Sequence, residues 1–154
     1  MGTRCASRTA DVLTPPVETH CMGRFETQLQ VRFRDLDAMG HVNNATYATY
    51  LEQARVEYYA EVLDARLEDI DTVIAHLEID YRRPIELGEA VVVGIDVEEL
   101  GRSSFPMAYE VVADGEVAAT AETIQVIWDS ESGSSRPIPD DWRERILSYH
   151  GLDG

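Results

Sequence analysis

Residues 25–47 read FETQLQVRFRDLDAMGHVNNATY, and this stretch contains a strand, a loop and the start of a helix. Over residues 25–33 apolar and polar side chains alternate, which predicts a strand with one buried face. Residues 35–44 are rich in Asp, Asn and Gly, a composition typical of a loop. Asn43 or Asn44 is a suitable N-cap, because its side chain can accept a hydrogen bond from a free backbone N–H at a helix start.

A single long helix is predicted after this loop, ending near Leu63. Apolar residues recur there at steps of three and four, which places them on one stripe of a helix. The stripe consists of Tyr47, Tyr50, Leu51, Ala54, Tyr58 and Val62. The other side of the helix is expected to carry polar residues, namely Glu52, Gln53, Arg55 and Glu61.

Strands dominate the remainder of the chain. Four of them are predicted from alternating patterns between glycine-containing turns, over residues 73–81, 90–100, 103–113 and 117–128. The links are short, so the strands are expected to be antiparallel. A curved sheet around the helix is the simplest way to bury the apolar stripe. The predicted class is therefore α+β, with five antiparallel strands wrapped around one long helix.

Three local signals refine this expectation. Asp114-Gly115 predicts a tight hairpin turn. Pro106 cannot donate a hydrogen bond to a neighbouring strand, so it predicts a bulge or an edge position. Asp140 and Asp141 follow Pro139, and acids in a first turn favour a short C-terminal helix there.

The first 22 residues show no strand or helix periodicity. They are rich in Thr, Ser, Pro and Ala, so we expect a flexible N-terminal tail over residues 1–22 and one domain over residues 23–150. Cys5 and Cys21 both lie in the tail, and their spacing suggests no metal site.

The charge balance excludes one class of partner. Acidic residues number 29 and basic residues 13, all of them arginine, for a formal charge of -16. Such a chain has no general basic field for nucleic acid. The absence of lysine favours a surface adapted to high salt over that of an ordinary acidic protein. No apolar run is long enough to span a membrane or act as a signal peptide, so a cytoplasmic protein without membrane partners is expected.

The segment from Asp37 to Asn44 has the composition of a reactive site. It lies just before a helix N-terminus, whose free N–H groups and positive dipole end can stabilise an oxyanion. Gly40 permits close backbone approach. A thiol leaving group with a pKa of about 8.5 needs no strong general acid, so a carboxylate and an oxyanion site suffice to hydrolyse a thioester. The same spacing also fits a simple loop and capping cluster.

The stretch from Val31 to Tyr47, followed by Tyr50-Leu-Glu-Gln-Ala-Arg55, resembles the hotdog-fold acyl-CoA thioesterases. It is similar to the branch of 4-hydroxybenzoyl-CoA thioesterase and bacterial acyl-CoA thioesterases, and the His-Val-Asn-Asn run also resembles plant acyl-ACP thioesterases. Weaker similarity continues to about residue 147. The resemblance implies a hotdog fold, hydrolysis of acyl-CoA or acyl-ACP, and no cofactor or metal.

Site residues follow from the resemblance position by position. It implies that Asp37 is the catalytic carboxylate, acting as nucleophile or as base for water, and that the backbone N–H of Asn44 polarises the thioester carbonyl. His41 could polarise the same carbonyl or only hydrogen-bond across the loop. Asn43 could cap the helix or position water. Tyr47 is expected in the core or at a dimer interface, where it could also line the acyl pocket.

Coenzyme A carries several negative charges, so a local arginine cluster is required in so acidic a protein. Arg102, with Ser103 beside it, follows Gly101 at a hairpin where family members often contact CoA phosphates. Arg83 is a further candidate. The alternative for each arginine is a surface ion pair with neighbouring acids.

The resemblance also implies assembly. Family members form homodimers by joining sheets edge to edge, often pairing into homotetramers, with the active site between subunits. Two other functions stay open. An enoyl-CoA hydratase or dehydratase would use an Asp/His pair on carbon, but such relatives usually place four residues between the pair, whereas Asp37 and His41 have three. A non-catalytic acyl-CoA binding protein could share the fold.

Overall fold

The computed structural model describes residues 25–153. The predicted tail and both cysteines lie outside this range. The elements in chain order are β1 (Phe25–Gln30), α1 (Asn44–Val62), β2 (Thr72–Tyr81), β3 (Ala90–Asp96), β4 (Ser104–Ala113), β5 (Glu116–Asp129), β6 (Ser134–Ser135) and α2 (Asp140–His150). Two short 3-10 turns, Phe33–Asp35 and Leu67–Asp69, flank the long helix.

The strands form one antiparallel sheet in the order β1-β3-β4-β5-β2, and the two-residue β6 adds to β5. The predicted fold class is confirmed, with β6 as the unpredicted addition. The first strand ends at Gln30 rather than residue 33, because the chain turns into the 3-10 segment that holds Asp35. β3 ends at Asp96 rather than residue 100.

The turn predictions hold in detail. Asp114 and Gly115 have φ angles of 47° and 80°, the pair of positive values that a type I′ hairpin requires. Pro106 lies beyond the last β3–β4 pair, Asp96 with Ala108, so its flank of β4 has no β3 partner. The edge interpretation of Pro106 is thus confirmed, and the irregularity in the β4–β5 pairing lies between Val111 and Val112, where Ala118 of β5 is the extra residue.

All six residues of the predicted apolar stripe are buried on α1. The placement of Arg55 on the polar side is wrong, since only 7% of this residue is exposed. It lies four residues after Leu51 and three before Tyr58, so helical spacing puts it on the stripe. One guanidinium nitrogen, Nη1, donates to the hydroxyl of Tyr109 on β4 at 3.2 Å.

The terminal helix packs against the C-terminal half of α1. The rings of Tyr59 and Trp142 stack with centroids 5.8 Å apart, and the hydroxyl of Tyr58 lies 2.8 Å from Nε2 of His150. These contacts cover the C-terminal half of α1 and leave its first turn free of α2.

Asp35 connects the end of β1 to α1. Its carboxylate accepts hydrogen bonds from the Arg32 backbone N–H at 2.8 Å and the Tyr50 hydroxyl at 2.9 Å, and it pairs with the Arg32 guanidinium. Burial raises the pKa of Asp35, but these hydrogen bonds and the Arg32 charge outweigh burial and hold the pKa below its ordinary value. The Asp35 carboxylate is therefore ionised, and its contacts with Arg32 and Tyr50 hold the end of β1 against α1.

Replacing Asp35 with Asn should lower the free energy of unfolding by roughly 1.5–3 kcal/mol at pH 7, the usual worth of hydrogen bonds to a buried charge. A lowered folded-state pKa stabilises the fold above the unfolded pKa of about 3.9 and loses this effect as pH falls through the folded value. Denaturant titrations at pH 7 and pH 3 should therefore show that the difference in unfolding free energy between the wild type and Asp35→Asn is smaller at pH 3. An equal difference at both pH values would contradict the stabilising role of the ionised Asp35 carboxylate. Replacement of the exposed Asp69 with Asn serves as the control.

Candidate active site

Asp37 lies at the top of a small hairpin between β1 and α1, closed by a bridge between Leu36 and Val42. Its backbone N–H donates to the His41 carbonyl at 2.7 Å, and its Oδ1 accepts the backbone N–H groups of Met39 and His41 at 2.8 and 3.1 Å. Gly40 occupies the turn with φ of 80°. One carboxylate oxygen thus holds the loop, whereas Oδ2 has no hydrogen bond among the described residues, and Asp37 as a whole is exposed.

The first turn of α1 leaves one donor open. Asn43 is the N-cap: its side-chain oxygen accepts the Ala45 N–H at 2.9 Å, its carbonyl accepts the Thr46 N–H, and its own N–H donates to the Asp35 carbonyl. Within residues 25–153, no hydrogen bond uses the backbone N–H of Asn44. A free N–H at a positive helix end is suited to a developing negative charge.

His41 lies beside an acid. It forms a bridge with Glu86, and its Nε2 is 4.0 Å from the Glu86 carboxylate, with about a third of the side chain exposed. This position fits a hydrogen-bonding role in the loop at least as well as contact with substrate.

Tyr47 and Tyr81 tie the end of β2 to the start of α1. Their rings meet edge to face with centroids 5.0 Å apart, and the Tyr81 hydroxyl donates to the Asn44 carbonyl at 2.8 Å. Tyr47 is buried, its hydroxyl faces the Arg83 carbonyl at 3.5 Å, and burial raises the pKa of its phenol. The helix start and the end of β2 therefore form one rigid corner.

Arg83 is engaged by its own chain. It pairs with Glu89 at 2.8 Å and Glu116 at 3.2 Å, and it also donates to the Ala113 carbonyl. The hydrogen bond from Arg83 to Glu89 raises the pKa of the guanidinium. The structure thus favours the ion-pair alternative for Arg83 over contact with CoA phosphates.

Arg102 is exposed in the loop before β4, and its guanidinium forms no ion pair with the described residues. The loop is fixed by Arg143, which donates to the Gly101 carbonyl at 2.6 Å. A Cβ on Gly101 would lie 2.9 Å from the Ser104 carbonyl oxygen, so the turn needs glycine. Ser103 is half-buried beside it, and its carbonyl accepts the Ile127 N–H at 2.8 Å.

The predicted site residues fall into two separate groups. Ser104 pairs with Val126, which pairs with Val73, so the Arg102 loop lies at the start of β2. The Asn44 corner lies at the other end, at Tyr81. Eight residues of strand separate the two ends by about 26 Å. A single chain therefore brings Asp37, His41, Asn43, Asn44 and Tyr47 together and leaves Arg102 and Ser103 apart.

Two further findings concern metal and membrane. In the described part of the chain, no three His, Cys, Asp or Glu side chains are grouped so as to hold a metal ion. None of its helices is long and apolar enough to cross a membrane.

The solved structures include close structural relatives. A thioesterase from Thermus thermophilus, crystallised with coenzyme A and Zn, is 42% identical, with a TM-score of 0.77 over 84% of this chain and 96% of that one. A predicted thioesterase from Bacillus stearothermophilus is 28% identical, with a TM-score of 0.76 over 84% of this chain and 98% of that one.

Curated sequences agree with these structures. The 1,4-dihydroxy-2-naphthoyl-CoA hydrolase of Synechococcus elongatus is 30% identical over 79% of this chain and 96% of its own length. The long-chain acyl-CoA thioesterase FadM of Escherichia coli is 28% identical over 79% of this chain and 96% of its own length. Residues 31–146 match the family model of the thioesterase-like superfamily. The chain belongs to the thioesterase-like superfamily.

Proposed function

We propose that this protein is an acyl-CoA thioesterase that hydrolyses the thioester to a free acid and coenzyme A. The observation that carries the proposal is the pairing of an open Asn44 backbone N–H with an open Asp37 carboxylate oxygen on the same short loop and helix start. Coenzyme A is preferred to acyl carrier protein as the carrier, because relatives are named for CoA esters.

The reaction follows from these two groups. The thioester carbonyl oxygen accepts the Asn44 N–H, which stabilises the negative charge that develops during attack. Asp37 Oδ2 either attacks the carbonyl carbon or removes a proton from the attacking water. The carbon–sulfur bond then breaks and coenzyme A leaves as the thiolate, which is protonated by solvent. With Asp37 as nucleophile, water subsequently hydrolyses the resulting anhydride.

The structure gives less support to the hydratase alternative. That chemistry needs a histidine free to exchange a proton with carbon, whereas His41 lies against Glu86 and its backbone N–H is held by Asp37. A binding protein without turnover remains the second candidate, because Asp37 Oδ1 also has a purely structural use in the loop.

The edge strand β2 supports a homodimer. It has ten residues and no partner on its outer side in the described sheet, and it exposes Val73, Ile74, Leu77 and Tyr81 by 42–48%. Long apolar edge strands are aggregation-prone unless they are covered. Pairing of two β2 strands around a two-fold axis would cover this unpaired backbone edge, and two such dimers could pair further into a homotetramer.

Such a dimer would also complete the site. In an antiparallel two-fold pair, the start of one β2 lies beside the end of the other. Arg102 of the partner subunit would then approach the Asn44 corner, although within one chain the two are about 26 Å apart. We therefore assign Arg102, with Ser103, to the CoA phosphates of the neighbouring subunit's site.

Asp37→Asn should abolish catalysis without unfolding the protein. Asparagine retains an oxygen that can accept the Met39 and His41 N–H groups, so the loop is kept while the charge is lost. We expect kcat for thiol release to fall by roughly 10²–10⁴-fold. Exposed Asp69→Asn is the matched control and should retain activity. Turnover of Asp37→Asn at the wild-type rate would eliminate Asp37 as the catalytic group.

A complementation experiment tests the shared site. Asp37→Asn and Arg102→Met chains, co-expressed with different tags and purified as a heterodimer, should regain about half of the wild-type activity, because one of the two sites then has both natural residues. The Arg102→Met homodimer should show kcat/KM lowered roughly tenfold or more through KM. A heterodimer with only half the activity of that homodimer would place both residues of each site in one chain.

A further inference from the structure

Arg55 is a buried cation that has no counterion among residues 25–153. Only 7% of the residue is exposed, yet no carboxylate of the described residues lies within the 4.0 Å of an ion pair. Removing a charge from water without a partner is costly, so such a group is kept buried only where something compensates it. Its one side-chain hydrogen bond among the described residues goes to the neutral hydroxyl of Tyr109.

The neighbours of Arg55 do not supply the missing acceptor. Tyr109 meets the Thr123 hydroxyl at 3.0 Å, and Thr123 accepts the Gln125 amide N–H at 2.9 Å. The side-chain oxygen of Gln125 accepts a hydrogen bond from the Tyr59 hydroxyl at 3.1 Å. Every member of this buried chain is neutral and also donates, and a guanidinium alone has five N–H groups. The cluster therefore has more donors than acceptors.

The guanidinium is not sealed in. The buried polar atoms that lack partners in residues 25–153 include none from Arg55, so its remaining nitrogens still reach open space. An additional acceptor would reach the guanidinium through this remaining exposure.

An apolar strip on β2 leads from the helix start to this cluster. The strip consists of Ile74, Leu77, Ile79 and Tyr81. Leu77 pairs with Thr123, and Ile74 pairs with Gln125, so these side chains share the α1 face of the sheet with the cluster. Tyr81 at the other end touches Asn44. Pairing of β2 with a partner strand would use the backbone edge and would leave these side chains facing the space beside α1.

The length of the strip defines a length of acyl group. Tyr81 and Leu77 are about 13 Å apart along the strand, and Asn44 and Arg55 are about 16 Å apart along α1. An extended chain advances about 1.2 Å per bond. The Arg55 side chain points back toward the helix N-terminus, which shortens this span by several ångströms. A thioester held at Asn44 would thus bring its acyl terminus to the guanidinium after roughly eight to twelve carbons, whereas a single aromatic ring would end short of it.

We propose that Arg55, supported by Tyr109, Thr123 and Gln125, binds a carboxylate at the far end of the acyl group, so that the preferred substrates are CoA monothioesters of dicarboxylic acids. This inference rests on the proposed thioesterase function and deepens it by naming a substrate class. The terminal carboxylate supplies the counterion and the acceptor that the buried cluster lacks, and the methylene chain between the two ends lies on the apolar strip.

The test compares matched substrates of equal length. The CoA monothioesters of octanedioic, decanedioic and dodecanedioic acids are assayed against octanoyl-, decanoyl- and dodecanoyl-CoA by thiol release. The wild-type protein should favour the carboxylate member of at least one pair by roughly ten- to hundredfold in kcat/KM, mainly through KM. This comparison needs no variant, so it stands even where a substitution of Arg55 destabilises the core.

Variants then locate the effect. Arg55→Met should bring the ratio within each pair close to one while leaving hydrolysis of the methyl-ended substrates within about threefold. Arg55→Lys should keep part of the preference, and Tyr109→Phe should weaken it by releasing the guanidinium. The exposed Arg66→Met is the matched control and should keep the wild-type ratio.

The possible failures are distinguishable. Hydrolysis of both members of every pair at similar rates, or preference for the methyl end, would overturn the inference and leave the thioesterase function standing. A preference that survives in Arg55→Met would also overturn it. Absence of thiol release from all of these substrates would overturn the proposed function, and the inference with it.

Discussion

The start of α1 is held on two sides, and the site depends on this restraint. The Asp35 carbonyl binds the N–H of Asn43, and the Tyr81 hydroxyl binds the carbonyl of Asn44. With its carbonyl fixed to the end of β2 and the preceding residue fixed to the loop, Asn44 presents its N–H in one direction. A preorganised donor needs little rearrangement when charge develops, which is the property an oxyanion site requires.

The two groups of candidate site residues lie at opposite ends of β2. One end of β2 carries the Asn44 corner, and the other end lies beside the exposed Arg102. The edge strand between them is the one long element of the described chain whose apolar side chains stay half-exposed. The same strand thus fixes the Asn44 corner and carries the surface proposed for assembly. In the proposed homodimer, a two-fold axis through β2 would unite the two ends in a single site, and the acidic chain would then offer a cation to coenzyme A where it is needed.

Local patterns predicted the elements and the position of the loop before α1 well, because these depend on residues close in sequence. The alternation in β1, the stripe of α1 and the Asp114-Gly115 turn each have a short-range cause. What sequence reasoning missed depends on contacts between distant segments. Arg55 was assigned to the polar side from its charge, although its spacing matched the stripe, and the hydroxyl that accepts from it lies 54 residues away. For Arg83 the sequence offered an ion pair as an alternative, but it could not identify Glu89 and Glu116 as the partners, because both lie on other turns of the chain.

The most direct test of the central claim is thiol release by the wild-type protein from a panel of short, long, aromatic and carboxylate-ended acyl-CoAs, run beside calorimetric titration with the same compounds. If the protein is a thioesterase, at least one member of the panel should release free thiol in excess over the enzyme. Saturable binding at one acyl-CoA per site with no thiol released from any member would contradict it and establish a binding protein on a thioesterase fold.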